Sequence, residues 1–85
     1  MKIIKIDSIA CVSCIIMNNI FDIVKNKYNF DLIEYDFDED NEKIKDYNIK
    51  TLPTYIFIKD NIEIKKLIGE NKIEEFDKIL KGCEK

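Results

Sequence analysis

Apolar and polar residues follow two different periods along this chain, and the changes of period divide it into seven segments. Lys2–Ile6 has a period of two, with Ile4 and Ile6 on one face and Ile3, Lys5 and Asp7 on the other, which predicts a first strand. From Cys11 to about Lys27, Val12, Ile15, Ile16, Ile20, Ile23 and Val24 recur every three or four residues opposite Asn18, Asn19, Asp22 and Lys25. That spacing predicts an amphipathic helix, with Asp7 and Ser8 as candidate caps. Tyr28-Asn29 is a break, and Phe30–Phe37 reads as a second strand. The acidic turn Asp38-Glu39-Asp40-Asn41 can cap a short helix through about Tyr47, with Ile44 and Tyr47 facing inward. Thr54–Ile58 and Ile62–Ile68 are β-rich, and Lys59-Asp60-Asn61 between them suits a tight hairpin. Gly69 ends that run. Asn71, with Glu74 as capping-box partner, opens a last helix striped by Ile73, Phe76, Ile79 and Leu80. Lys81–Lys85 reads as a fraying polar tail. Phe21, Phe30, Phe37, Phe57 and Phe76 are assigned to the core, and Tyr55 to the core or a groove wall. The predicted order is β-α-β-α-β-β-α.

Composition bounds what this pattern can do. Eighty-five residues make one domain, 1–85, and a 46% hydrophobic share supplies a core rather than a disordered chain. No apolar run approaches the roughly 20 residues of a membrane span. Met1-Lys2-Ile3-Ile4-Lys5 lacks a signal-peptide pattern, so the expected location is the cytoplasm. Paired cysteines there are catalytic or metal-binding rather than structural. Seventeen acidic residues outweigh fourteen scattered lysines for a net charge of −3, which argues against a nucleic-acid groove. Histidine is absent, which excludes Cys-His hydrolases and His-containing zinc sites. The Asp38–Asn41 cluster lacks the turn Gly and terminal Glu of an EF-hand loop, so it reads as a solvated turn rather than a calcium site.

The chemistry that survives is thiol exchange, and Cys11-Val12-Ser13-Cys14 can supply it. Residues three apart on a helix have Cβ atoms about 5–6 Å apart, and a disulfide needs about 3.5–4.5 Å. Only a small tightening of the first turn is required. Free N–H groups and the helix dipole stabilise a thiolate at a helix mouth. Cys11 is therefore the candidate nucleophile, and Cys14, one turn inside, the resolving thiol.

The element order with CxxC at the first strand–helix junction resembles the thioredoxin fold. The segment Tyr47-Asn48-Ile49-Lys50-Thr51-Leu52-Pro53-Thr54-Tyr55-Ile56-Phe57-Ile58-Lys59-Asp60-Asn61 is similar to that family's Y-x-I-x-x-x-P-T region, and Gly69 matches its glycine after the last strand. The resemblance covers nearly the whole chain, lacking the N-terminal β-α unit of full thioredoxins. It implies an α/β thioredoxin fold: three layers, α/β/α, around a four-stranded mixed sheet of order 2-1-3-4 with the third strand antiparallel to the others. It also implies a cis Pro53 beside the dithiol, Leu52 offering backbone groups to an extended substrate, Cys11 attacking a target disulfide and Cys14 releasing the product.

Departures from the family pattern carry information too. Ala10 stands where the family has Trp, and Val12-Ser13 replaces Gly-Pro. Lys5 stands where the family buries an acid. It either lies beneath the dithiol and favours thiolates, as a pKa-tuning residue, or snorkels outward. Leu67-Ile68-Gly69-Glu70-Asn71 lacks the Gly-Gly-x-Asp run with which glutaredoxins hold glutathione. A rival reading compares Ile6–Cys14 with the Cu(I) loop of copper-chaperone domains, but those end in a strand. Cys83 reads as a bystander thiol. The expectation is a thioredoxin-like protein disulfide reductase, a monomer with no bound cofactor or metal. Its partners would be disulfide-containing client proteins and an external reductase, either a flavoprotein or glutathione, with no nucleic acid and no membrane.

Overall fold

The computed structural model describes residues 1–83, the Cys83 side chain excepted. The elements are β1 (Lys2–Asp7), α1 (Val12–Lys27), β2 (Asp31–Asp36), α2 (Asn41–Ile44), a 3-10 turn (Lys45–Tyr47), β3 (Thr54–Lys59), β4 (Ile62–Ile68) and α3 (Ile73–Cys83). The sheet order is β2-β1-β3-β4, with β1 parallel to β2, and β3 antiparallel to both β1 and β4. The expected thioredoxin-type topology is the observed one.

The central residues of β1 are all buried, and their alternation sends them into two different cores. Ile3, Tyr55, Phe57 and Leu67 of the sheet pack with Met17, Phe21 and Val24 of α1 and with Phe76 and Leu80 of α3. Ile4, Ile6 and Ile56 point the other way and are covered by Ile44 of α2. The first face is aromatic: Phe21, Tyr55 and Phe76 rings meet at 5.0 to 6.0 Å between centroids, within the range favoured by aromatic pairs. The β3–β4 connection is a two-residue turn in which Asp60 and Asn61 both have positive φ, the backbone that matches strand twist in a hairpin.

Several local expectations are corrected. The buried face of α1 is Cys14, Met17, Phe21 and Val24, whereas Val12, Ile15, Ile16 and Ile23 face solvent. Two apolar stripes share this helix, and the sheet takes the one carrying the large Met and Phe side chains, which bury more area per residue. Neither Asp7 nor Ser8 caps α1; the cap is Cys11 itself. Asn71 is not the cap of α3. Its side-chain amide donates to the Ile68 and Gly69 carbonyls, and the helix opens two residues later, at Ile73, with the Glu75 N–H donating to the Lys72 carbonyl. Phe37 falls beyond β2 and is 38% exposed, because the chain turns away once its N–H donates to the Asp7 carbonyl. The expected tail is helical through Cys83. Glu84, Lys85 and the Cys83 side chain, with the bystander reading placed on it, lie outside the described residues. No helix among the described residues is long and apolar enough to cross a membrane.

Candidate active site

The carboxyl end of β1 feeds a short loop into α1, and the two cysteines sit at that junction. Cys11 is the N-cap, with extended backbone, and its Sγ accepts the Cys14 N–H at 3.1 Å. A sulfur thus takes the place usually held by a Ser or Asp oxygen at a helix start, where unsatisfied N–H groups and the dipole favour negative charge. Both cysteines are free thiols. Cys11 is partly exposed; Cys14, one turn on, is 2% exposed. Burial pushes the Cys14 thiol up to about 12, with Cys11 and Asp7 adding to the rise and the Ser8 backbone opposing it. The two sulfurs therefore have unlike surroundings: one reachable, one sequestered.

The Leu52–Pro53 peptide bond is cis, and Pro53 is buried. Pro53 immediately precedes Thr54, the β3 partner of Ile6, so the bend lies at the same end of the sheet as the β1–α1 junction. The segment after β4 closes this end. The Gly69 N–H donates to the Pro53 carbonyl at 2.8 Å, Ser13 Oγ donates to Glu70 at 3.0 Å, and the Asn71 N–H donates to Met17 Sδ at 3.3 Å. Gly69 has φ +73°, a conformation that favours glycine, and this turn lets one segment reach both the proline and the CxxC helix. Leu52 is half-buried and packs on the Ile4–Ile56 side. A shallow groove of about 190 Å³ runs beside the bend, lined in part by Thr51, Thr54, Lys66 and Ile68.

Lys5 is turned inward rather than out. Its residue is 8% exposed, and Nζ donates to Asn18 Oδ1 at 2.7 Å, with Asp7 at 3.3 Å and Glu34 at 3.7 Å. It also stands 5.4 Å from the Phe21 ring centroid. The buried charge is thus matched by carboxylates and an amide, as burial requires. Asn18, Glu34 and Glu70 were not legible as site residues. Asn18 lies four residues after Cys14, the one local signal available, whereas Ser13 and Glu70 are separated by 57 positions. Tyr55, assigned to core or groove wall, is core: it is fully buried, and its hydroxyl has no hydrogen-bond partner. A buried unpaired hydroxyl costs about 1–3 kcal/mol.

Around the cysteines the surface is apolar, with Ile9 88% exposed and Val12 and Ile15 also open to solvent. No group of three or more potential metal ligands occurs among the described residues.

Comparison with known proteins adds the family context. The Thioredoxin family model matches residues 2–82. Among curated proteins, the chain is similar to Thioredoxin H5 of Oryza sativa subsp. japonica, 34% identical over 70 residues, covering 81% of this chain and 52% of the relative. It is also similar to Thioredoxin H4 of Arabidopsis thaliana, 33% identical over 84 residues, covering 94% of this chain and 71% of the relative. The chain thus spans about half the length of the rice protein. Among solved structures, a thioredoxin from Nicotiana alata superposes with a TM-score of 0.84 at 25% identity, covering 94% of this chain and 70% of that one.

Proposed function

The chain belongs to the thioredoxin family, and from that premise we propose that it is a thiol-disulfide oxidoreductase that reduces disulfides in client proteins through Cys11 and Cys14. The observation that carries the reading is the unlike pair of thiols at one helix mouth: a reachable Cys11 sulfur accepting a helix N–H, and a sequestered Cys14 behind it.

In the proposed reaction the Cys11 thiolate attacks one sulfur of a client disulfide. A Cys11–client mixed disulfide forms, and the other client sulfur leaves with the electron pair and takes a proton. Cys14 then loses its proton and attacks the Cys11 sulfur. The Cys11–Cys14 bond forms, the bond to the client breaks, and the client departs as a second thiol. The client has gained two electrons and two protons, and the protein has lost them. An external donor, a flavoprotein reductase or glutathione, returns them. Leu52 would offer backbone groups to an extended client segment, and the buried Pro53 would shape the surface beside the sulfurs. Lys5 serves as the tuning residue by neutralising Asp7 beneath the dithiol, since Asp7 is one of the charges that oppose a Cys14 thiolate. We place the protein in the cytoplasm as a monomer, where a reducing poise keeps such a pair in its dithiol form. The helix at the end of the described chain supports this reading over a Cu(I) carrier, whose domains end in a strand.

An insulin-reduction assay driven by dithiothreitol tests the proposal. The unmodified protein is expected to accelerate precipitation of the insulin B chain, and Cys11→Ser to fall to the uncatalysed rate. Activity undiminished in Cys11→Ser would overturn the assignment.

A further inference from the structure

Resolution of the mixed disulfide asks most of Cys14, because its thiol is deeply buried and the chain has no histidine to take the proton. One polar group at this place is otherwise unemployed. Tyr55 lies on β3 two residues beyond Pro53, opposite Lys5 of β1 in the sheet register. Its ring is 5.0 Å from that of Phe21, which sits two turns along α1 from Cys14 on the same buried face. On the far side it meets Phe76 at 5.1 Å, edge to face. The phenol is therefore clamped between α1, α3 and the sheet, with its hydroxyl sealed from solvent and unpaired in the dithiol form. A tyrosine in so apolar a setting carries a hydroxyl that phenylalanine would spare the core.

We propose that Tyr55 is a positioning residue for the resolving step, its hydroxyl donating a hydrogen bond to the Cys14 sulfur as that sulfur becomes a thiolate. The inference rests on the dithiol-exchange reading above. The hydroxyl keeps its own proton throughout. The proton leaving Cys14 ends on the departing client sulfur, and the new Cys11–Cys14 bond replaces the Cys11–client bond.

The groups that act on the hydroxyl agree with this role. Burial above all, and then the negative charge that Cys14, Asp7 and Cys11 can carry, hold the phenol well above its ordinary range. It stays a neutral donor at any pH at which the protein works. Lys5, bound to Asp7 and Glu34, supplies the balancing positive charge from β1. Leu67, its register partner on β4, and Phe76 of α3 do not titrate. A charge-assisted bond to a sequestered thiolate is stronger than a neutral one and is formed where no water competes.

Stopped-flow reaction with Ellman's reagent, in a Cys83→Ser background, tests the proposal. The first burst of thionitrobenzoate reports attack by Cys11, and the second reports displacement by Cys14. Tyr55→Phe is expected to leave the first phase unchanged. It should slow the second about tenfold and move its pH profile upward by about one unit, the loss expected for a hydrogen bond to a charged group. Unchanged rate and pH profile in the second phase would overturn the proposal. Should Tyr55→Phe not fold, site-specific 3-fluorotyrosine at position 55, a stronger donor, is expected to speed the second phase, and an unaltered second phase would equally overturn it. Both bursts present but no insulin reduction would instead count against the dithiol-exchange reading, leaving the Tyr55 result to stand on its own phase.

Discussion

The two faces of the sheet are built from different materials. The α1/α3 face is a deep aromatic layer in which Phe21, Tyr55, Phe57 and Phe76 interlock and two helices cover the sheet. The α2 face is a small isoleucine cluster, Ile4, Ile6, Ile44 and Ile56, under a helix of four residues and a 3-10 turn. Large, rigid rings on one side fix where α1 lies, and α1 carries both sulfurs. The thin side leaves room for a groove beside the cis proline. The lesson is that the heavy face fixes the place of the sulfurs, and the light face leaves an open groove.

The sharpest way to break this comparison is to truncate one residue on each face. Phe76→Ala should cost about 3–5 kcal/mol, measured by urea denaturation, because α3 cannot collapse into the space left by a ring held between Tyr55 and Phe57. Ile44→Ala should cost nearer ~2 kcal/mol, since a short helix at an open face can settle onto the gap. Equal losses at the two positions would erase the distinction drawn between the faces.

Lys5 sharpens it differently, because it is the one buried charge among the described residues, and it lies in the heavy face. Lys5→Met should cost about 1–2 kcal/mol: it removes one partner of the ion pair, and the loss stays below that of a fully buried pair because the Asp7 and Glu34 side chains keep contact with water. It should also slow client release several-fold by leaving Asp7 unneutralised beside Cys14. A stopped-flow trace of the second thiol release in which Lys5→Met matches the unmodified protein would remove the tuning role. The smallest effect belongs to the rim of the same face, where Asp77 accepts from the Tyr28 hydroxyl and the Lys27 ammonium and is held below the usual carboxylate range by them. An acid stronger in the folded than in the unfolded chain stabilises above the unfolded pKa of 3.8 and loses that contribution as pH falls through the folded value. Asp77→Asn should therefore lower stability slightly and evenly at neutral pH, and flatten the profile below about pH 4, where the contribution is already being lost. A thermal-melt series across that range reads it.

Much of the frame was legible because the signals were local. The Asp60-Asn61 turn is fixed by residues that tolerate positive φ, and the alternation in Lys2–Ile6 assigns Lys5 and Ile4 to opposite faces before any packing is known. The inner face of α1 was not legible. Isoleucines at 15, 16 and 23 advertise one stripe as strongly as Met17 and Phe21 advertise another, and only the presence of Tyr55 and Phe76 across the layer decides between them. At the site, the cysteines and the proline could be named from spacing and resemblance. The clasp between Ser13 and Glu70, the inward turn of Lys5 and the unpaired Tyr55 hydroxyl arise from residues far apart in the chain, and no local pattern encodes them.

The central claim, that Cys11 captures the client and Cys14 sets it free, is tested most directly by trapping. Cys14→Ser, exposed to a disulfide-containing protein and examined by intact mass and peptide mapping, is predicted to accumulate a covalent complex joined through Cys11. Cys11→Ser under the same conditions is predicted to accumulate none. A complex joined through any residue other than Cys11, or no complex in Cys14→Ser at all, would contradict the account.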